Sequence, residues 1–304
     1  MHITRRTLIA TGGVALAGAA LLPRAWGQTS VIMGDTEVLS LSDGNLELPA
    51  DFIFGPMPQD ELAQVLAPFS LDPQGALTPP CNITLLRRGD MLVLFDAGSG
   101  TGFQPSAGAL PDALAAAGID PYDITHVVFT HGHPDHLWGL LDDFDEPAFA
   151  NAEHMMGAAE HAYWTDPATV TSIGEARASF AAGAERRLAA LPDITLFDDG
   201  AEVLPGVSAM LTPGHTPGHM SFRIDAGADS VMVLGDCIGN GHVAFARPGW
   251  PSGSDQDMAM AAETRTALLD RLAADGTRII GFHLPDSGVG AVARDGDGYR
   301  FEPA

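Results

Sequence analysis

Residues 125–136 read THVVFTHGHPDH, and the polar half of this stretch decides how the rest of the chain is read. The run from Thr125 to His131 is short and apolar, as a buried strand requires. It hands over to His131-Gly132-His133-Pro134-Asp135-His136, where Gly132 and Pro134 keep a loop tight. Four potential metal ligands therefore crowd into six positions. Neutral imidazole suits zinc and related divalent ions, and a carboxylate suits harder ones. In an extended loop alternate side chains share a direction, so His131 and His133 can grip one ion while Asp135 and His136 face another position. One ion cannot comfortably take all four from so short a stretch, so the spacing points to two metals.

Three further segments repeat the placement of a polar residue just beyond a strand. They are His215 in TPGHTPGH (212–219), Asp236 in LGDC (234–237) and His283 in GFHLP (281–285). A site held where rigid strands give way to loops is a common functional arrangement.

The composition narrows the field. The chain has 304 residues, 46% apolar and 18% charged, enough for a sizeable core. Its 39 acidic and 15 basic residues leave a formal charge of −24, which argues against a nucleic acid or an anionic membrane as partner. Every basic residue is arginine. The absence of lysine excludes a Schiff-base lysine and a P-loop lysine. Two cysteines, Cys81 and Cys237, are too few for a disulfide framework, although a pair between them is conceivable in an exported protein. No Gly-x-Ser-x-Gly elbow occurs.

Residues 1–27 read as an address. Arg5-Arg6 precedes an apolar run from Leu8 to Leu22, with a cleavage site expected after Ala25-Trp26-Gly27. The run is too short and too rich in Gly and Ala for a stable membrane span, and resembles a twin-arginine export signal. Periplasmic or other export is the expectation, with residues 28–304 as one domain and no stable membrane span after processing.

Coarse patterning fills in the remainder. Val38–Leu48 alternates about Asp43-Gly44 and predicts a hairpin. A second hairpin is expected over 81–98, turning at Arg88-Gly89-Asp90. Helices are expected over Pro111–Gly118, from Leu137, over 153–164, over 172–190 and over Asp257–Ala274. Strands are expected over Ile194–Phe197, Val203–Leu211, 221–225, 230–236 and Arg278–His283, with a closing hairpin over Val289–Phe301. Strand clusters with helices in each half suggest sheets packed together and helices outside, an α/β class.

Taken in order, HGHPDH, GHTPGH, GD and GFH resemble the metallo-β-lactamase-fold hydrolase superfamily over essentially all of residues 28–304. The resemblance implies an αββα sandwich with two mixed sheets and a dinuclear metal site. It implies that His131, His133 and His215 hold the first metal and that Asp135, His136 and His283 hold the second. Asp236 matches the carboxylate that bridges both, and His219 matches no ligand. Zn2+ is the expected metal, with Mn2+, Fe2+ or Co2+ as alternatives.

Within the superfamily the chain is most similar to methyl parathion hydrolase-like and lactonase-like periplasmic enzymes. The stretches that carry this are VLSLSDGNLELPAD (38–51), residues 101–140 and HLPDSGVGAVARDGDGYRFEP (283–303). That likeness aligns Trp164 with an aromatic of the leaving-group pocket, with ordinary packing against a helix as the alternative, and substrate-shaping loops are expected in the Pro-rich segment 52–80.

A water shared by two ions about 3.5–4 Å apart has its pKa lowered toward neutrality and becomes a nucleophile. Asp135 and Asp236 are the carboxylates expected to serve it. The expected activity is cleavage of a lactone or aryl ester, with phosphotriesters as a further class, acting on a small molecule. Alternatives are a glyoxalase-II-like thioester hydrolase and a non-catalytic exported metal-binding protein. A homodimer is left open.

Overall fold

Each half of the chain builds one seven-stranded sheet, and the strands follow one another across it. In the computed structural model, which describes residues 29–191 and 193–304, the first sheet has the order β1 to β7. These are β1 (Thr29–Met33), β2 (Thr36–Asn45), β3 (Pro80–Arg88), β4 (Met91–Phe95), β5 (His126–Phe129), β6 (Glu153–Gly157) and β7 (Ile194–Phe197). The second sheet runs from β14 (Gly298–Pro303) through β13 (Val289–Asp295), β12 (Arg278–Ile280), β11 (Asp229–Val233), β10 (Met220–Ala226) and β9 (Val207–Leu211) to β8 (Glu202–Leu204). Both sheets are mixed: β4 to β7 pair in parallel, as do β11 and β12, and the other pairs are antiparallel. The export leader expected over 1–27 lies outside the described residues.

Burial explains the layering. Val38, Leu86, Val93, Phe95 and Val128 from the first sheet share one core with Phe222, Ile224 and Val231 from the second. Phe95 and Phe222 meet across the layer with ring centroids 5.2 Å apart. Each fully buried ring of this kind contributes roughly 1.5–3 kcal/mol. The outer face of the first sheet is covered by helices that include Leu110–Ala116 and Ala178–Ala189. The helix Met258–Asp275 covers the second with Leu268, Leu269 and Leu272. Asp257 caps that helix by accepting the Met260 N–H, and Gly276 ends it in the left-handed conformation. The result is the expected αββα sandwich.

Several local expectations need correction. Asp43-Gly44 is not a hairpin turn: β2 runs through it with a bulge, and its hairpin partner is β1. The Asp43 carboxylate instead reaches across to accept the N–H groups of Ser99 and Leu110, at 2.8 and 2.7 Å. The stretch 153–164 is half strand, because β6 joins β5 in parallel before the helix Ala158–Thr165 begins. Helical composition cannot distinguish a buried parallel strand from a helix when the run is this short. The helix expected from Leu137 starts earlier, at Pro134, and lasts one turn before a 3₁₀ turn over Trp138–Leu140. Among the described residues no helix is long and apolar enough to cross a membrane.

Candidate metal centre

β5 ends at Phe129, and the next seven residues turn into the space between the sheet edges. His131 and His133 lie on the extended part of this segment, and Asp135 and His136 on the first helical turn after it. Gly132 is required because a Cβ there would stand 2.5 Å from the ring of Trp164. From the other sheet, His215 follows β9, Asp236 follows β11 and His283 follows β12.

The seven side chains form two buried clusters. In one, His133 Nδ1 lies 3.0 Å from His131 Nε2 and 2.9 Å from His215 Nε2. In the other, His283 Nε2 lies 3.2 Å from Asp135 Oδ2, and His136 Nε2 lies 3.6 Å from the same oxygen. Asp236 stands between them. Its Oδ2 is 3.4 Å from His215 Nε2 and 3.2 Å from His283 Nε2, while Oδ1 is 3.4 Å from His136 Nε2.

The donor set fits divalent cations. Burial and the neighbouring imidazoles hold His131 and His133 well below the ordinary imidazole range, and their nitrogens converge with His215 Nε2. In the second cluster Asp135 Oδ2, His136 Nε2 and Asp236 Oδ1 are buried without hydrogen-bond partners. Two carboxylates converging out of water demand positive charge. With protons alone to supply it, burial opposes a charged His136, but Asp236, Asp135 and Asp96 outweigh burial and carry it up to about 10. His283 is raised in the same way by Asp236 and Asp135.

The cluster side chains are held from behind. His136 Nδ1 meets Asp96 Oδ2 at 2.7 Å, and Asp96 also accepts the N–H and hydroxyl of Thr130. Asp96 has φ +72°, a strained conformation for a residue with a side chain. His215 Nδ1 lies 3.2 Å from Asp255, which in turn meets Arg265. His283 Nδ1 donates to the carbonyl of Pro80 at 2.8 Å. His219, expected not to be a ligand, accepts the Asp236 N–H through Nε2 at 2.9 Å. Such partners fix ring orientation and tautomer.

Glu160 ties two ligand loops together. It accepts from Gly132 N, Trp164 Nε1, Thr216 Oγ1 and Gly218 N, at 3.0, 2.5, 2.8 and 2.9 Å. Trp164 therefore does not line the substrate pocket. It is buried, edge-on to His133, with its N–H spent on Glu160. Sequence reading missed Asp96, Asp255 and Glu160. Cys81 and Cys237 are both free and buried, and Cys237 Sγ turns to the Leu234 carbonyl.

Both clusters open into one cleft of about 690 Å³. His133, Asp135, His215, Asp236 and His283 reach it, and Phe52, Ile53, Phe69, Leu71 and Leu77 line it from the segment where substrate-shaping loops were expected.

The profile of the Metallo-beta-lactamase superfamily matches residues 78–283, and the chain belongs to that superfamily, as a metallohydrolase. The fold is similar to that of AidC, a dizinc quorum-quenching lactonase solved with the product N-hexanoyl-L-homoserine. That likeness has 26% identity and a TM-score of 0.85, and covers 91% of this chain and 97% of AidC. The hydrolase AbOPH of the beta-lactamase superfamily is similar at 26% identity and TM-score 0.84, with the same coverage. The uncharacterised protein Rv2581c of Mycobacterium tuberculosis is 28% identical over 231 residues, which are 73% of this chain and 93% of that one.

Proposed function

We propose that the protein is a dinuclear-metal hydrolase of lactones and aryl esters, with Zn2+ in both positions. The observation that carries the reading is Asp236, whose carboxylate lies within 3.4 Å of ligands from both clusters at the floor of an apolar cleft. His131, His133 and His215 would hold one ion, Asp135, His136 and His283 the other, and Asp236 both. The ions would supply an activated water and polarise the carbonyl to be cleaved.

The remaining work falls to the chain itself. Asp96, Asp255 and the Pro80 carbonyl fix the ligand rings. The wall from Phe52 to Leu77 takes the apolar acyl or aryl part of the substrate and keeps bulk water from the floor. Likeness to a lactonase of known product supports a lactone as the first substrate to try.

The test is hydrolysis of N-hexanoyl-homoserine lactone and a p-nitrophenyl ester, with a thioester and a phosphotriester alongside, before and after chelation and zinc return. Activity lost with the chelator and restored by zinc at two ions per chain is expected. Turnover indifferent to metal would overturn the reading. Export through the leader at 1–27 is proposed with it, on Arg5-Arg6 and the apolar run that follows.

A further inference from the structure

Arg177 and His242 are among the polar side chains on the cleft wall that belong to neither cluster. Arg177 is tied down, its Nη2 donating to the carbonyls of Gly253 and Ser254 at 2.7 and 3.0 Å. His242 is not. Its Nδ1 is buried without a partner among the described residues, and Nε2 makes no hydrogen bond to them either. The ring packs against Phe54 and Phe69, with centroids 5.8 Å from each.

The position of this ring is nevertheless fixed. Asn240 Oδ1 accepts the N–H groups of His242 and Ala244, at 3.3 and 2.9 Å. Gly241 approaches Pro285 so closely that a Cβ would lie 2.7 Å from its Cδ. Pro285 is two residues beyond His283, and the same loop leaves Asp236 six residues earlier. The loop that carries His242 is thus tied to the segments that bear Asp236 and His283.

Burial pushes the imidazole down to about 4, so the ring is neutral near pH 7 and carries one N–H. On Nδ1 that hydrogen would be a buried donor without an acceptor, the costlier kind of orphan, at about 1–3 kcal/mol. On Nε2 it can reach whatever occupies the cleft.

We propose that His242 donates a hydrogen bond through Nε2–H to the oxygen that leaves the acyl carbon, a role that rests on the hydrolytic reading of the site. The oxygen of the attacking water first bonds to the acyl carbon; as that carbon regains its carbonyl, its bond to the leaving oxygen breaks and the electron pair moves onto the leaving oxygen. The hydrogen bond stabilises that charge, and the hydrogen stays on His242. The proton given up by the attacking water completes the alcohol.

Leaving groups distinguish this role from mere packing. An alkoxide needs the donor, and a p-nitrophenoxide needs it little. His242→Phe should lower kcat on N-hexanoyl-homoserine lactone about 10–100-fold, or roughly 1.4–2.7 kcal/mol. On p-nitrophenyl hexanoate the fall should stay below about threefold, with metal content unchanged. His242→Gln, which keeps a donor, should recover much of the loss. If His242→Phe does not fold, His242→Met fills the same aromatic gap without a donor. Equal losses on both substrates, or none, would overturn the role. A wild-type protein that hydrolyses neither substrate would overturn the hydrolytic reading itself, and this role with it.

Discussion

Asp96 Oδ2 lies 2.7 Å from His136 Nδ1, and both side chains are buried. The carboxylate accepts the Nδ1–H, so that Nε2 is the nitrogen that faces the second cluster. Asp96→Asn keeps the shape and tolerates the positive φ, but offers an N–H where an acceptor is needed. Metal affinity of the second cluster should fall about 10–100-fold. Metal titration of the variant by calorimetry checks it, and unchanged occupancy of both positions would refute the orienting role.

Asp236 reaches both clusters, so its charge serves two cations at once. Coulomb repulsion between two dications is fourfold that of unit charges at equal distance, many kcal/mol even at an effective dielectric near ~20. Asp236→Asn removes the offsetting charge at constant shape. Lactone or ester hydrolysis should fall at least ~100-fold, about 2.7 kcal/mol of transition-state stabilisation. A variant with two bound ions and near-normal turnover would count against the bridge.

Glu160 accepts four hydrogen bonds in a buried position. Glu160→Gln must turn an NH2 group toward donors. The expected loss is roughly 2–4 kcal/mol, which corresponds to a Tm lowered by roughly 5–10 °C. Differential scanning calorimetry on the metal-loaded protein reads it directly. A melting temperature within a degree of wild type would show that the staple is dispensable.

His154 is buried on β6, its Nε2 unpartnered and its ring stacked on Phe129. Burial lowers its pKa to about 4, below its ordinary value of 6.5. The unfolded chain therefore binds the proton first, and stability contributed by the neutral ring is lost as pH falls from 6.5 toward 4. His154→Phe should make urea-derived stability decline less steeply across that window than in the wild type, the remaining slope coming from other buried histidines such as His242. Parallel curves for the two proteins would exclude His154 as the source.

Arg5-Arg6 begins the proposed export leader. Replacing both with Lys should block passage by the twin-arginine route and leave the full-length chain inside the cell. Fractionation followed by mass determination decides, and a processed double variant outside the cytoplasm would remove that route.

His131, His133, Asp135 and His136 were legible in sequence because metal ligation needs particular side chains at short spacings, whereas His215, Asp236 and His283 came only with the family resemblance. The alternation that separates His131 and His133 from Asp135 and His136 is the separation found in space. Asp96, Asp255 and Glu160 were not legible. A carboxylate that orients a ligand is one acid among 39, and only tertiary contact marks it out. Phe-Asp96-Ala-Gly, ending a strand just before a glycine turn, was the one local hint. Trp164 was left between the pocket and ordinary packing for a related reason: its sequence neighbourhood says that it is near the site, not which side of the loop 131–136 it occupies. The strand at 153–157 was hidden because Glu-His-Met-Met-Gly carries no β-branched residue, and pairing with β5 supplies what propensity does not.

The two sheets are separate in sequence, and the chain passes between them once, through residues 198–201. His131 and His133 lie before that passage and His215 after it; Asp135 and His136 lie before it, Asp236 and His283 after. Neither half owns a complete cluster. Each ion would therefore act as a cross-link between halves, adding to their association a free energy that grows with metal concentration. A chain cut at Gly200 into two polypeptides would become a complementation pair whose reassembly reads out the divalent metal.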